Sequence, residues 1–261
     1  MQTEVIRQER GMRMRIHVVT PVTTKGITTA SDFESVARAD TEVGHSVLDT
    51  GPASIESAFD EAIALPDTIA KILEAERDGA DAVVIDCMGD PGMGAGREVT
   101  SIPVLGPAQT SMHVAALLAN SFSIVTVLDA VIPLMDDLAA KYGLADKLAS
   151  IRSVDIPVLE LEDHDRLMDE LEEESIKAIE QDGAHAIVFG CTGMRGCAPA
   201  LKERLAARGY EGIPVIDPVV TAFKIAEALV DLGLTPSTRT YTRPREKATP
   251  GYDLMFERAT A

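Results

Sequence analysis

Two cysteines stand at matching places in two similar segments, and free thiols placed in this way could transfer protons. Residues 78–89 read DGADAVVIDCMG and residues 182–193 read DGAHAIVFGCTG, so Cys87 and Cys191 are 104 positions apart. In each copy a short apolar run, typical of a buried parallel strand, leads into Cys-x-Gly, so each cysteine is predicted to follow a strand end. Ligands bind at that edge of open α/β sheets. The repeat therefore predicts one pocket with a thiol on either side.

Opposed thiols could invert a carbon centre. One thiolate would remove a proton from carbon, and the other thiol would return a proton to the opposite face of the planar carbanion. This needs an acid and a base of matched pKa, which two like groups provide. Backbone N–H groups in the turn after each strand, and a following helix, are expected to lower the pKa of each thiol from about 8.5. No metal and no organic cofactor is expected, and the alternative is that both cysteines are small core residues.

Strands and helices alternate around these segments. Besides the strand before each cysteine, strands are predicted at 15–20, 103–105, 122–128, within 151–161 and at 214–216. Helices are predicted at about 55–78, 108–118, 133–142, 165–182, 198–208 and 219–232. A second repeat, IPVLGP at 102–107 and IPVIDP at 213–218, extends the similarity. The alternation predicts an α/β fold of two pseudo-symmetric, Rossmann-like lobes with parallel sheets and the active site in the cleft between them.

The predicted division places Cys87 in a lobe at 14–120, Cys191 in a lobe at 121–232, and a tail at 233–261. Within the first lobe, 23–49 is expected to be an irregular or partly helical cover. Ser54 is the predicted N-cap of the helix at 55–78, which Pro66 should kink or divide. The glycine-rich stretch after Cys87 does not fit a dinucleotide loop and is expected to be a flexible cover over the pocket.

Composition restricts the partners. The 261 residues include 24 Lys and Arg against 42 Asp and Glu, a formal charge of −18, which disfavours binding to nucleic acid or to anionic membranes. A small-molecule substrate is the expected partner. No apolar stretch approaches the length of a membrane span, and residues 1–15 lack a signal core, so a cytoplasmic location is expected. Three cysteines are an odd number that does not suit a disulfide framework, and Cys197 is expected to be a packing residue.

Several segments together resemble the aspartate/glutamate racemase superfamily, most closely its hydantoin and allantoin racemase branch. They are spread in order over about 14–232 and read GPASIES at 51–57, DEA at 60–62, CMGDPG at 87–92, FSIVT at 122–126, IPVL at 156–159 and GCTGM at 190–194. The resemblance implies a cofactor-independent two-base racemase with one catalytic cysteine from each lobe, which carries over to Cys87 and Cys191. It also implies a homo-oligomer.

The resemblance also indicates which residues contact the substrate. Those next to the cysteines are Met88, Gly89, Thr192 and Gly193, and the other matched motifs add Pro21, Thr23 and Thr126. Asp90 could position its loop or touch the substrate. Two departures leave the substrate open. The family pattern Asn-Pro-Asn-Thr-Ser reads TPVTT at 20–24, and Val127 replaces a second threonine.

Other functions stay open at this stage. A racemase of free amino acids usually has His after Cys-Thr, where this chain has Gly193. A maleate-type cis–trans isomerase would share the fold, whereas the related decarboxylases keep a single cysteine. A two-lobed binding protein without turnover is the alternative from another class. The preferred hypothesis is a racemase of 5-substituted hydantoins or allantoin.

Overall fold

Two parallel sheets of four strands each form the framework of residues 13–252 and 255–256, which the computed structural model describes. The strands are β1 (Met14–Thr20), β2 (Thr41–Val47), β3 (Ala82–Ile85), β4 (Val104–Leu105), β5 (Phe122–Thr126), β6 (Leu148–Ser153), β7 (Ile187–Phe189) and β8 (Val215–Ile216). The strand orders are β2-β1-β3-β4 and β6-β5-β7-β8. The second sheet thus repeats the first, which confirms the predicted α/β fold with two lobes.

Helices cover both faces of each sheet. They are α1 (Ser31–Glu34), α2 (Ala58–Arg77), α3 (Met93–Val99), α4 (Pro107–Leu118), α5 (Ile132–Lys141), α6 (His164–Asp182), α7 (Ala198–Ala207) and α8 (Pro218–Asp231). Short 3-10 turns lie at Asp129–Val131, Ala145–Lys147, Val158–Glu160 and Thr192–Met194. No helix in the described residues has the length and apolar character needed to span a bilayer.

The last helix of each half packs on the sheet of the other half. In α8, Val219, Ala222 and Phe223 share a core cluster with Ile16 and Val84 of the first sheet and with other residues of that lobe. In α4, Ala108, Met112 and Ala115 belong to a cluster that contains Phe122, Ile124 and Val188 of the second sheet. The two helices also contact each other. The predicted division at 120 stays a prediction, but the hydrophobic cores cross it.

Two strands differ from the sequence prediction, one because no strand was expected there and the other in its bounds. The expected cover at 23–49 contains β2, an edge strand that pairs with all of β1 from Met14–Thr41 to Thr20–Val47. Its sequence TEVGHSV carries few apolar residues and a glycine, so its pattern is weak. Gly44 is needed there because a Cβ would lie 2.5 Å from Nδ1 of His17. The strand expected within 151–161 is β6, which begins earlier, and a 3-10 turn occupies Val158–Glu160.

The helix predicted at 55–78 also differs in detail. It begins at Ala58, and its N-cap is Ser57, whose Oγ accepts a hydrogen bond from the Asp60 backbone N–H at 3.2 Å. Ser54 is therefore not the cap. Pro66 lies inside α2 without dividing it, because the packing of α2 on the first sheet outweighs the lost backbone hydrogen bond.

The glycine-rich stretch after Cys87 forms a helix rather than a flexible cover. Gly92 has a φ of 77° and starts α3, which contains Gly94 and Gly96. A Cβ on Gly96 would lie 2.9 Å from Cδ1 of Ile72, so this glycine permits close packing of α3 on α2. Low helix propensity concealed a helix that is stabilised by tertiary contact.

Candidate active site

Both cysteines lie in the same kind of turn just beyond an inner strand. Cys87 follows the end of β3, and the backbone N–H of Gly89 donates to its Sγ at 3.5 Å. Cys191 follows the end of β7, and the backbone N–H of Gly193 donates to its Sγ at 3.3 Å. The repeat in the sequence is therefore a repeat in the structure, and each thiol accepts a hydrogen bond from the backbone N–H two residues further along the chain.

The two thiols lie on the wall of one cavity of about 80 Å³. Its wall comes from the segments that follow the inner strands of both sheets and from loops beside them. The lining residues are Thr20, Val22, Ile27, Thr28, Ile55, Asp86, Cys87, Met88, Gly89, Val127, Val131, Leu134, Met135, Val158, Gly190, Cys191, Thr192 and Gly193. One pocket with a sulfur from each lobe is the arrangement predicted from the sequence.

Most of the wall is apolar. Aliphatic and methionine side chains make up half of the lining residues: Val22, Ile27, Ile55, Met88, Val127, Val131, Leu134, Met135 and Val158. The polar side chains besides the thiols are few, namely Thr20, Thr28, Asp86 and Thr192. Such a wall suits a small ligand with an apolar part and a few polar groups.

Burial raises the pKa of both thiols, contrary to the lowered values expected from the sequence. Loss of solvent is the largest cause for each, and it raises the pKa of Cys191 to about 12 and that of Cys87 further. The N–H groups of Gly89 and Gly193 act in the opposite direction but are outweighed. The negative charge of Asp86 also raises the pKa of both thiols. The turns supply the predicted N–H donors, but desolvation has the larger effect on the pKa of each thiol.

A hydrogen bond joins the two lobes beside the thiols. The hydroxyl of Thr192, which is buried, donates to the backbone carbonyl of Asp86 at 3.2 Å. Because Asp86 precedes Cys87 and Thr192 follows Cys191, this contact fixes one cysteine segment against the other. It requires a hydroxyl at 192, which is one physical reason for the threonine of the Cys-Thr-Gly motif.

Asp86 forms a polar cluster at the end of the first sheet. Its Oδ2 accepts a hydrogen bond from the Thr20 hydroxyl at 3.0 Å, and the Thr20 oxygen lies 2.9 Å from Nε2 of His45. Nη1 of Arg195 approaches the same Oδ2 only to 4.0 Å. The other oxygen, Oδ1, is buried and has no hydrogen-bond partner among the residues that the structure describes.

Half of the predicted substrate contacts lie on the cavity wall. These are Met88, Gly89, Thr192 and Gly193, the neighbours of the two cysteines. Pro21, Thr23, Asp90 and Thr126 are not among the lining residues. A role in substrate binding stays a prediction for all eight, and the geometry does not support it for the last four.

Three of these four make internal hydrogen bonds instead. Asp90 is buried and accepts from the Tyr142 hydroxyl at 2.7 Å and from the backbone N–H groups of Ala108 and Gln109 at 2.9 Å, so it anchors the start of α4. Burial raises the pKa of Asp90 to about 6. The hydroxyls of Thr126 and Thr23 donate to backbone carbonyls, and Pro21 is buried.

Asp86 and Thr20 are the functional candidates that sequence reasoning missed. The signal for Asp86 was visible in the repeat, where Asp86 and Gly190 occupy equivalent positions before the two cysteines. A charged residue at the end of an otherwise apolar strand, opposite a glycine in the second copy, is unusual for a packing position. Thr20 had entered only as a departure from the family pattern.

The third cysteine, Cys197, does not line the cavity. Cys197 is buried in the core cluster of the second lobe, as predicted, and burial raises the pKa of its thiol to about 11. Among the residues that the structure describes, no group of three or more His, Cys, Asp or Glu side chains is arranged to hold a metal ion.

Comparison with known proteins places these features in context. A model of the family described as Asp/Glu/Hydantoin racemase matches residues 16–226. The chain is 42% identical over 238 residues to a hydantoin racemase of Pseudomonas sp. (strain NS671), a match that covers 90% of this chain and 93% of that one. It is 39% identical over 246 residues to a hydantoin racemase of Rhizobium meliloti, which covers 92% and 99% of the two chains.

A solved structure shows the same architecture. The allantoin racemase from Klebsiella pneumoniae superimposes with a TM-score of 0.85 at 38% sequence identity. The superposition covers 91% of this chain and 96% of that chain. The likeness therefore extends over both lobes.

Proposed function

Because the chain belongs to the Asp/Glu/hydantoin racemase family, we propose that it inverts C5 of 5-substituted hydantoins with Cys87 and Cys191 as its acid–base pair. The chain is a racemase that acts on a small molecule. The observation that carries the proposal is the position of two thiols, one from each lobe, on the wall of one cavity.

The reaction is a transfer of two protons. The thiolate of one cysteine removes the proton of C5, and the electron pair of the C–H bond moves into the ring as an enolate on the neighbouring C4 carbonyl. The thiol of the other cysteine then delivers its proton to the opposite face of C5. The product leaves with inverted configuration, and the two cysteines have exchanged protonation states. The proposed chemistry uses no metal and no organic cofactor.

The surroundings of the two thiols support their proposed roles as base and acid. Each Sγ accepts a hydrogen bond from a backbone N–H, so either thiol has a group that stabilises its thiolate. Burial keeps the pKa of both thiols high, and a strongly basic thiolate is the stronger base toward a carbon acid. Two groups in equivalent turns also suit a reaction that runs equally in both directions.

The cavity wall favours an apolar substituent at C5. Residues such as Val127, Leu134 and Val158 present aliphatic surface, and burying a polar substituent against it would cost free energy without a hydrogen-bond partner. We therefore propose hydantoins with alkyl or aryl substituents ahead of allantoin, whose substituent is a polar ureido group.

The alternatives fit less well. A dicarboxylate or free amino acid brings at least one carboxylate into a wall where Asp86 already supplies negative charge. Amino-acid racemisation or maleate isomerisation by this chain is therefore the second candidate. A binding protein without turnover is set aside because the chain is a racemase.

The proposal is tested by incubating single enantiomers in heavy water. We expect 5-benzyl- and 5-isobutylhydantoin to lose optical rotation and to gain deuterium at C5, with kcat/KM higher than for allantoin. Aspartate, glutamate and maleate serve as comparison substrates. Turnover of one of these acids without turnover of any hydantoin would contradict the proposal.

A further inference from the structure

Asp86, a residue that lines the racemase cavity, has a carboxylate oxygen without a hydrogen-bond partner in the described residues. Asp86 lines the cavity and is only 4% exposed. Its Oδ2 accepts from the Thr20 hydroxyl, whereas its Oδ1 is buried and accepts from no group in the described residues. Leaving a buried charged acceptor without a donor costs more free energy than leaving a neutral one.

The neighbouring donors are engaged elsewhere. The N–H groups of Gly89 and Gly193 donate to the two thiols, and the Thr192 hydroxyl donates to the backbone carbonyl of Asp86. Arg195 forms an ion pair with Asp32 at 3.3 Å and lies over the ring of Phe33, and its approach to Asp86 is to Oδ2, at 4.0 Å. The donor that satisfies Oδ1 is therefore expected to come from the molecule that occupies the cavity.

This acceptor stands on only one side of the site. The equivalent position in the second lobe is Gly190, where a Cβ would lie 2.4 Å from Cβ of Thr126, so no side chain fits. The hydantoin ring is likewise asymmetric around C5, the reacting carbon. C5 is bonded on one side to N1, which carries hydrogen, and on the other to the C4 carbonyl, which accepts hydrogen bonds.

We propose that Asp86 accepts a hydrogen bond from the N1–H of the hydantoin ring and so sets the orientation of C5 between the two thiols. The inference rests on the proposed function. Asp86 lines the same cavity as both thiols, and N1–H is the ring donor closest to C5. The same negative charge disfavours substrates that carry a carboxylate next to the reacting carbon.

The test combines a substitution with a change in the substrate. Racemisation of 5-benzylhydantoin, its N1-methyl derivative and its N3-methyl derivative is compared for the wild type and for Asp86→Ala. In the wild type, N1-methylation should lower kcat/KM at least tenfold more than N3-methylation, as expected for loss of a hydrogen bond to a charged group. In Asp86→Ala this difference should vanish, because no acceptor remains to distinguish the two derivatives.

Glu61→Gln is the matched control variant. Glu61 is a carboxylate beside Gly89 whose charge also raises the pKa of Cys87, but it does not line the cavity. It should keep the wild-type difference between the two methyl derivatives. The comparison of the two methyl derivatives in the wild type needs no variant. It therefore tests the proposal even if Asp86→Ala does not fold.

The outcomes separate the two claims. Equal turnover of the N1-methyl and unmethylated substrates by the wild type would overturn the role of Asp86 and leave the proposed function intact. An unchanged methyl difference in a folded Asp86→Ala would do the same. Absence of racemisation of every hydantoin by the wild type would instead overturn the proposed function.

Discussion

At the scale of the residue, the two thiols combine matched surroundings with high pKa values. Each Sγ accepts a hydrogen bond from the backbone N–H two residues further along the chain, and each is shielded from solvent by a largely apolar wall. Desolvation raises the pKa of both thiols more than the turn lowers it. The proposed enzyme therefore depends on a small fraction of a strongly basic thiolate at neutral pH, rather than on a large fraction of a weakly basic one.

This assignment predicts the pH dependence of the reaction. The active base is the deprotonated thiol, and the pKa of Cys191 is raised to about 12, so the thiolate fraction grows about tenfold per pH unit below that value. We expect kcat/KM to rise continuously from pH 6 to pH 9. An N3-methylated hydantoin should be used, so that the acidic N3–H does not titrate. A plateau beginning below pH 7 would contradict the raised pKa values.

Residue types in the repeat were sufficient to predict the thiol pair but not the electrostatics around it. Cys87 and Cys191 were identified from the repeated segment, in which an apolar run leads into Cys-x-Gly, and both line the cavity. The direction of their pKa shifts depends on how many atoms of Val127, Leu134 and other residues exclude water, which is a tertiary property. Asp90 shows the same limit, because its hydrogen bonds to Tyr142 and to α4 join positions far apart in sequence.

At the scale of the element, glycines have two opposite roles next to the site. Gly94 lies in helix α3, and a Cβ there would have no neighbouring atom within 4 Å in the described part of the chain. Gly190 follows β7, and a Cβ there would lie 2.7 Å from the backbone Cα of Thr126. One glycine is conformationally costly in its helix, while the other permits two strand ends to approach.

Alanine substitutions at these two positions should shift stability in opposite directions. Gly94→Ala should raise the free energy of unfolding by about 0.5–1 kcal/mol, because alanine loses less backbone entropy in a helix. Gly190→Ala should lower it by about 1–3 kcal/mol through overpacking. Urea unfolding followed by circular dichroism measures both. Destabilisation by Gly94→Ala would mean that 93–99 is not helical.

Elements with strong apolar periodicity were predicted well, and those stabilised by tertiary contact were not. The core strands β3 and β7 and the helices α4 to α8 were found within a few residues of their observed bounds. β2 was missed because Thr41, Glu42 and Gly44 give an edge strand no apolar pattern. α3 was missed because its glycines have low helix propensity. The need for glycine at 96 becomes clear only from the proximity of Ile72 in the folded structure.

At the scale of the whole molecule, the two lobes depend on each other because each contributes a helix to the core of the other. α8 covers the first sheet, and α4 belongs to the core of the second. The Thr192–Asp86 hydrogen bond and the hydrogen bond between Glu56 and the Val158 backbone N–H, at 2.8 Å, also cross between the halves. The cleft is thus built by both halves of the chain together.

Cutting the chain at residue 120 should therefore leave two unstable fragments. Without α8, the first sheet would expose Ile16, Val18 and Val84, and the second sheet without α4 would expose Phe122 and Ile124. We expect neither 1–120 nor 121–261 to unfold cooperatively in urea, and racemase activity to return when the two are refolded together. Cooperative unfolding of either fragment alone would contradict the interdependence of the lobes.

The central claim is that one thiol from each lobe serves one face of the substrate. It is tested most directly with Cys87→Ser and Cys191→Ser, each incubated in heavy water with separate enantiomers of 5-benzylhydantoin, and with Cys197→Ser as a control for a cysteine outside the cavity. Both active-site variants should lose racemisation by at least a thousandfold, while each still exchanges the C5 proton of one enantiomer, and the two variants should select opposite enantiomers. Cys197→Ser should racemise like the wild type. Undiminished racemisation by either active-site variant, or exchange of the same enantiomer by both, would contradict the two-thiol account.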